Sequence, residues 1–209
     1  MAERNVQRRL AAILAADIAE YTRRMEADTD GTVAAWHAAR ADVIDPGIAE
    51  FSGRIVKHTG DGFLAEFATV QDAVNCATAM QAGLADSPLE FRIGVNLGDI
   101  VDDGEDIHGE GVNIAARIEA LADPGGISLS GAAYEQVRNR VDHRFEDIGE
   151  HQVKHVSAPV SVWRWAAEGA EPSVDVSEPI PGFDGRPAIA VLAFENMSGD
   201  PEQEYFADG

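Results

Sequence analysis

Two aspartates occupy positions from which a carboxylate could bind a cation. Asp17 directly follows residues 10–16, a continuous apolar run that is typical of a buried central strand. Asp61 lies between Gly60 and Gly62, a combination that favours a tight turn. Carboxylate oxygens are the ligands that hard divalent cations prefer. The two aspartates can share such a cation only if their strands are neighbours in one sheet; taken singly, Asp61 could be an ordinary turn residue and Asp17 a helix N-cap.

Asn113 and Arg117 form a second candidate pair. They lie four residues apart in a segment whose apolar residues Ile114, Ile118 and Leu121 predict a helix, so both are on one helical face. A guanidinium suits a charged phosphoryl group, and an amide can orient a hydroxyl. The alternative is an ordinary solvated helix face, since exposed arginines are common.

Lys57 and Asp106 have no distinctive local pattern. Lys57 precedes the turn that contains Asp61, and Asp106 belongs to an acidic loop over residues 102–110. Each is consistent with a solvated surface position when it is considered alone.

The elements that must position these residues follow from the spacing of apolar residues and of glycine and proline. The interleaving of strands and helices, with hairpins among crossover helices, predicts an α+β fold, an α/β sandwich of one sheet covered by helices. The predicted elements are a strand at 10–16, a helix over 32–44 closed by Pro46, a hairpin of 54–58 and 63–67, a helix over 70–84, a strand at 91–95 whose pattern Gly98 breaks, a helix over 114–121 stopped by Pro124, Gly125 and Gly126, a strand at 127–129, a short helix from Gly131, and two late strands ending near Trp165.

The chain is predicted to contain three parts. Residues 1–166 form the main domain. Residues 167–186 combine three prolines with scattered acids and no apolar period, which is typical of a semi-extended linker. Residues 187–209 begin with an apolar strand and are interpreted as the start of a second domain.

Composition limits the function classes. The 209 residues carry a formal net charge of −21, from 37 acidic and 16 basic residues, which argues against nucleic-acid binding and against contact with an anionic membrane. A phosphate ligand must therefore be bound locally by metals or by a few placed cations.

The cysteine content and the lack of a recognisable secretory signal in the sequence predict a cytoplasmic protein. Cys76 is the only cysteine, so no intrachain disulfide can form. Arg8 and Arg9 before residues 10–16 resemble the start of a secretory signal, but Asp17 ends the apolar run after seven residues. No apolar segment approaches the roughly 20 residues that cross a bilayer.

Three long stretches in one order connect the separate candidates. They are LAAILAADIAEYTRRMEAD, RIVKHTGDGFLAEF and DIHGEGVNIAARIEALADPGGI, at residues 10–28, 54–67 and 106–127. Together they resemble the catalytic domain of class III adenylyl and guanylyl cyclases over roughly residues 8–166. The resemblance implies a ferredoxin-like cyclase fold, with one mixed, mainly antiparallel sheet covered by helices.

The resemblance also implies a site and a reaction. Asp17, Asp61 and the backbone carbonyl of Ile18 match the ligands of two Mg²⁺ or Mn²⁺ ions per active site. The implied reaction is that of an adenylate cyclase, which converts ATP to 3′,5′-cyclic AMP and pyrophosphate in second-messenger signalling.

The remaining positions of the family motifs match residues that bind the nucleotide. Lys57 and Asp106 match the pair that reads the adenine edge, which favours ATP over GTP. Asn113 matches the residue that orients the ribose, and Arg117 the residue that stabilises the transition state. Lys154 corresponds to a lysine that binds the triphosphate.

All of these positions stand in one chain, which implies a homodimer with two equivalent sites. Each site would take its metals from one protomer and Lys57, Asp106, Asn113 and Arg117 from the other. A monomer is therefore expected to be inactive.

Two positions depart from the family pattern, because Glu20 replaces a common glycine and Ala116 a frequent serine. Residues 187–209 resemble the opening of the TolB-like regions that follow some bacterial cyclases. The alternatives are a catalytically silent module of cyclase fold that binds nucleotide and regulates an attached domain, and a plain dimerisation domain.

Overall fold

Eight strands and six α-helices follow one another along the part of the chain that this computed structural model describes, residues 6–153, 156 and 158–165. The strands are β1 (Gln7–Ile18), β2 (Arg54–His58), β3 (Gly62–Phe67), β4 (Phe91–Asp102), β5 (Ile107–His108), β6 (Ile127–Ser130), β7 (Phe145–His151) and β8 (Val160–Trp165). The helices are α1 (Tyr21–Ala27), α2 (Thr29–Ala39), α3 (Asp45–Glu50), α4 (Val70–Gly83), α5 (Glu110–Glu119) and α6 (Gly131–Val137), and a π-helical turn, Arg40–Ile44, joins α2 to α3.

All eight strands belong to one sheet. Its order is β2-β3-β1-β4-β6-β8-β7, and β5 pairs with β4 beside this path. Among the described strands only β4 and β6 pair in parallel. The predicted α+β fold with a mixed, mainly antiparallel sheet is therefore confirmed.

β1 lies in the middle of the sheet because it is apolar on both faces. Ala12 and Leu14 point into the larger core, which α2, α3, α4 and α6 cover. Ala11 and Ile13 point to the opposite face, where a smaller core includes Ala115 of α5. Asp17 has the same parity as Ala11 and Ile13 and therefore lies on the α5 face.

β4 is longer than the sequence predicts. The pattern was expected to stop at Gly98, but β4 continues to Asp102 because β1 offers a partner to each of its twelve residues. Gly98 has another role. A Cβ at this position would lie 2.8 Å from the Cα of Gly111, so the glycine lets α5 approach the sheet.

Pro46 does not close the second predicted element, so that expectation is also wrong. The chain stays helical through the π-turn and α3 to Glu50, and Pro46 lies in the first turn of α3. A first-turn residue needs no intrahelical donor, so proline is tolerated there. The predicted linker, 167–186, and the start of a second domain, 187–209, lie outside the described residues.

Candidate active site

Asp17 and Asp61 come together at one end of the sheet. β1 and β3 pair antiparallel, with Asp17 opposite Gly62. The backbone N–H of Ile18 donates to the backbone oxygen of Asp61 at 2.8 Å, so the turn between β2 and β3 is fastened to the end of β1. The two strands are neighbours, which is the condition that a shared cation requires.

Gly62 permits this close approach. A Cβ on Gly62 would overlap the backbone oxygen of Ala16 and lie 2.9 Å from the Cα of Asp17. Neither group can move without displacing β1. Gly60, two residues earlier, has nothing within 4 Å of the same position. The glycine required by the site is therefore Gly62, which follows Asp61.

Arg92 is a site residue that sequence reasoning missed. Arg92 is paired with Asp17 between β1 and β4, and its guanidinium binds the Asp17 carboxylate at two points. Nε donates to Oδ1 at 3.0 Å, and Nη2 donates to Oδ2 at 2.6 Å. The hydrogen bond to Asp17 is the main cause that raises the pKa of Arg92 above its usual value. Asp17 is thus already oriented towards a cation.

Glu119, at the end of α5, is a second residue that was missed. Its side chain is only 11% exposed, its Oε1 lies 3.4 Å from Arg92 Nε, and that oxygen has no hydrogen-bond partner. Burial, followed by the neighbouring carboxylate of Asp17, raises the pKa of Glu119 to about 8, although Arg92 opposes this shift. The site holds more negative charge than one guanidinium balances.

Contact between α5 and β4 places Glu119. Gly94 of β4 packs directly beneath the helix, and a Cβ there would collide with the backbone of Ala115 and Glu119. Without a side chain at Gly94, the last turn of α5 rests on the sheet beside Arg92. This proximity brings Glu119 to Asp17 from a distant part of the sequence.

Glu119→Gln should remove a pH dependence of stability. Between its unfolded pKa, near 4.5, and its folded pKa of about 8, the folded protein binds more protons than the unfolded chain, so its stability falls as pH rises. Glutamine cannot ionise. We expect the variant to match the wild type near pH 5 and to exceed it near pH 8.5 by on the order of a few kcal/mol. Urea unfolding with EDTA at both pH values measures this; a gain that is the same at both would contradict the assignment.

The donor set fits a hard divalent cation. Asp17 and Glu119 lie against the guanidinium of Arg92, and the charge of Asp61 acts on both Arg92 and Glu119. No cluster of three or more metal-ligating side chains occurs among the described residues. Mg²⁺ is usually held by one or two carboxylates together with substrate phosphates and water, so two aspartates suffice.

Asn113 and Arg117 point away from these carboxylates. Successive residues of an α-helix turn by about 100°, so Arg117 projects about 200° from Glu119, and Asn113 about 240°. Both side chains are exposed, and neither makes a hydrogen bond or ion pair with another described residue. The two residues share a face as expected, but this face is directed outwards.

Lys57 and Asp106 are brought together, which their separate sequence positions did not show. Lys57 Nζ donates to Asp106 Oδ2 at 2.6 Å, and the Ile107 N–H donates to the other oxygen at 2.8 Å. Burial opposes ionisation of Asp106, but these two hydrogen bonds outweigh it and lower the pKa of Asp106. Asp106 is therefore held in its ionised form beside Lys57. Lys154, the expected triphosphate ligand, lies outside the described residues.

Glu20, which departs from the family's glycine, has left-handed backbone with φ of 55°. A left-handed conformation costs a non-glycine residue roughly 1–2 kcal/mol. We therefore expect Glu20→Gly to be more stable than Glu20→Ala by about 1 kcal/mol, as measured by thermal unfolding. Both variants lose the ion pair to Arg23, so the difference isolates the backbone. At Ala34 on α2, replacement by glycine should instead destabilise the protein by about 1 kcal/mol.

Comparison with known proteins places the arrangement in context. The sequence model of the family described as "Adenylate and Guanylate cyclase catalytic domain" matches residues 7–165. A protein of Rhizobium meliloti (strain 1021), provisionally named adenylate cyclase 3, is 47% identical over 219 residues. That alignment covers 100% of this chain and 37% of the relative, so the chain spans little more than a third of that protein.

Solved structures agree with the sequence comparison. The crystal structure of an adenylate/guanylate cyclase/hydrolase from Silicibacter pomeroyi is similar with a TM-score of 0.74 and 43% identity, over 78% of this chain and 99% of that one. The guanylyl cyclase Cya2 is similar with a TM-score of 0.68 and 27% identity, over 77% of this chain and 93% of that one.

Proposed function

Because the chain belongs to the family of adenylate and guanylate cyclase catalytic domains, we propose that it is an adenylate cyclase that works as a homodimer. The reaction would convert ATP to 3′,5′-cyclic AMP and pyrophosphate at two equivalent sites between the protomers. The observation that supports the proposal is that the candidate residues of one chain fall into two separate groups. Asp17 and Asp61 meet on one side of α5, while Asn113 and Arg117 project from the other.

Asp17 and Asp61 would form the metal half of each site. Their carboxylates, with the carbonyl of Ile18, would hold two Mg²⁺ or Mn²⁺ ions beside the triphosphate. Bound metal would supply charge neutralisation on the phosphates and a lowered pKa of the ribose 3′-hydroxyl. A cation bound by Asp17 would compete with the guanidinium of Arg92, which also lies 3.4 Å from Glu119 Oε1 through its Nε.

The partner's α5 would complete the reaction centre. Asn113 would orient the ribose so that the 3′-oxygen faces the α-phosphorus. The 3′-hydroxyl would release its proton to solvent water, its oxygen would form a bond to the α-phosphorus, the bond from the α-phosphorus to the bridging oxygen would break, and pyrophosphate would leave. Arg117 would stabilise the negative charge that develops on the α-phosphoryl oxygens, a preorganised electrostatic role.

Base choice distinguishes an adenylate from a guanylate cyclase within this family. The paired Lys57 and Asp106 support ATP, because the ammonium can donate to a ring nitrogen of adenine and the carboxylate can accept from its exocyclic amine. Guanine has a carbonyl where adenine has that amine. The Asp106 carboxylate would then face another acceptor oxygen and could not form a hydrogen bond with it.

A cytoplasmic location would supply the ATP that the proposed reaction uses. No helix in the described part of the chain is long and apolar enough to cross a bilayer. The free thiol of Cys76 is buried, and burial raises its pKa to about 12, so it is unreactive.

Cyclic nucleotide formation by the 209-residue chain tests the proposal. With Mn²⁺ or Mg²⁺ we expect cyclic AMP from ATP and much less cyclic GMP from GTP. Asp17→Asn and Asp61→Asn should each abolish the activity because the metal half loses a ligand. Asp86→Asn, at an exposed loop position, is the matched control and should retain it. Binding of an ATP analogue without any product would instead identify a silent nucleotide-binding module.

A further inference from the structure

Four charged side chains form a closed group on the α5 face of the sheet, here called the charge quartet: Arg9, Arg54, Glu66 and Asp102. Arg9 Nη2 donates to Glu66 Oε2 at 2.7 Å and to Asp102 Oδ2 at 2.8 Å. Arg54 contacts the same two acids, at 2.9 Å through Nε and 3.3 Å through Nη2. The side chains of the two acids are 11% and 19% exposed, and those of Arg9 and Arg54 are 36% and 47% exposed, so the quartet ties β1, β2, β3 and β4 together at a partly solvated surface.

The quartet also holds one end of the loop that carries Asp106. While Oδ2 of Asp102 receives the two arginines, its Oδ1 accepts from the Gly104 N–H at 2.9 Å. Asp103 closes the rest of the loop, because its Oδ1 accepts from the N–H groups of Glu105 and Asp106 at 3.0 and 2.9 Å. These hydrogen bonds order the short loop between Asp102 and Asp106, so the position of Asp106 depends on that of Asp102.

Two cations of β2 form ion pairs with the two ends of this loop. Arg54 binds Asp102, and Lys57 binds Asp106. Residues three apart on a regular strand point to opposite faces. A register shift between Ile55 and Lys57 adds one residue to β2, so Arg54 faces Glu66 and Lys57 faces Leu64, which lie on the same side of β3. The bulge therefore brings both cations to the loop.

We propose that the charge quartet is a positioning device for the Lys57–Asp106 pair and thereby helps to determine which purine the site accepts. This inference rests on the proposed function, because it assigns base recognition to that pair. The quartet makes no contact with the base. It fixes the distance between an ammonium on β2 and a carboxylate on the loop after β4, and hydrogen-bond selection between adenine and guanine depends on that spacing.

The ionisation of the quartet is consistent with a permanent structural role. The hydrogen bond from Arg9 is the main cause that lowers the pKa of Asp102, and the contact with Asp102 raises the pKa of Arg9. Arg9 and Asp102 therefore hold each other in their charged forms. Removing one arginine leaves the two partly buried carboxylates with a single cation.

Two variants test the proposal through nucleotide discrimination. Arg54→Met keeps the apolar stem and removes both ion pairs; Asp102→Asn keeps the shape and the acceptor for Gly104 but removes the charge. In each, we expect the ratio of kcat/KM for ATP to that for GTP to fall about tenfold, since small misplacements of binding groups have effects of this size. The Mn²⁺ concentration for half-maximal activity should not change, because the metal half is not involved.

Repeating the test in a variant that already carries Asp106→Asn distinguishes a positioning effect on Asp106 from a general disturbance of the fold. In Asp106→Asn, Arg54→Met should cause no further loss of discrimination, because the residue through which it acts is already altered. The matched control is Arg138→Met, which breaks an exposed ion pair with Glu135 on α6 and should leave the ratio unchanged. Asp102→Asn keeps the test decisive if Arg54→Met does not fold.

The outcomes distinguish the inference from the proposed function. A wild-type chain that prefers ATP while both quartet variants keep that preference overturns the inference alone. An additional tenfold loss in the Asp106→Asn background also overturns it. A wild-type chain that forms no cyclic nucleotide and binds non-hydrolysable ATP and GTP analogues equally overturns both.

Discussion

Replacing Gly62 by alanine is expected to lower metal-dependent cyclic AMP formation at least about a hundredfold. The new methyl group would overlap the backbone oxygen of Ala16 and approach the Cα of Asp17, so β3 must separate from β1 at the point where the aspartates meet. A displacement of about 1 Å at a reacting centre has an effect of this size. The measurement is kcat at saturating Mn²⁺, with circular dichroism to show that the variant is folded.

Gly60→Ala is the matched control for Gly62→Ala. It introduces the same methyl group two residues earlier in the same turn, where nothing lies within 4 Å. We expect this variant to keep activity within about twofold and to unfold at a similar temperature, as is usual for surface substitutions. Equal losses in the two variants would show that the turn needs glycine for flexibility rather than for contact with β1.

Mixing two inactive variants is expected to restore activity. In the proposed dimer, Asp17→Asn would impair the metal half of a site, and Arg117→Ala would impair the half that α5 provides. In a mixed dimer, one site receives both defects and the other receives neither. If subunits exchange at random, half of the dimers are mixed, so an equimolar mixture should reach about a quarter of wild-type activity.

The control for this experiment mixes Asp17→Asn with Asp61→Asn. Both defects then lie in the metal half, so every site in every dimer is impaired, and the mixture should stay inactive. Recovery in this control, or no recovery in the first mixture under conditions where the dimer forms, would contradict shared sites. The comparison does not depend on the specific activity of the preparation.

The sequence predicted most of the fold because its signals are local. The continuous apolar run before Asp17 identified a central strand, and the glycines around Asp61 identified the turn. The predicted extent of β4 was wrong because Gly98 was interpreted as a break in the strand pattern, whereas the glycine allows the close contact with Gly111 of α5. A contact between distant segments leaves no mark in the local pattern.

The site was predicted in part for the same reason. Asp17 and Asp61 were predicted to act together, and the pairing of β1 with β3 confirms that their strands are neighbours; their role as metal ligands stays a prediction. Arg92 and Glu119 were missed, because an arginine on a strand and a glutamate at a helix end are usually solvated. The available signal was that Arg92 lies opposite Asp17 once β1 and β4 are paired in register, which requires the sheet order.

The packing of α5 against β4 would couple nucleotide binding at the two proposed catalytic centres of a dimer. Glu119, at one end of this ten-residue helix, lies against Arg92 of its own chain, and the outer face of the helix would serve the centre across the proposed dimer. A shift of the helix by nucleotide at one centre would be transmitted as a rigid-body movement to the other. Saturation curves of the dimer would then depart from a simple hyperbola, with neither centre filling independently of its twin.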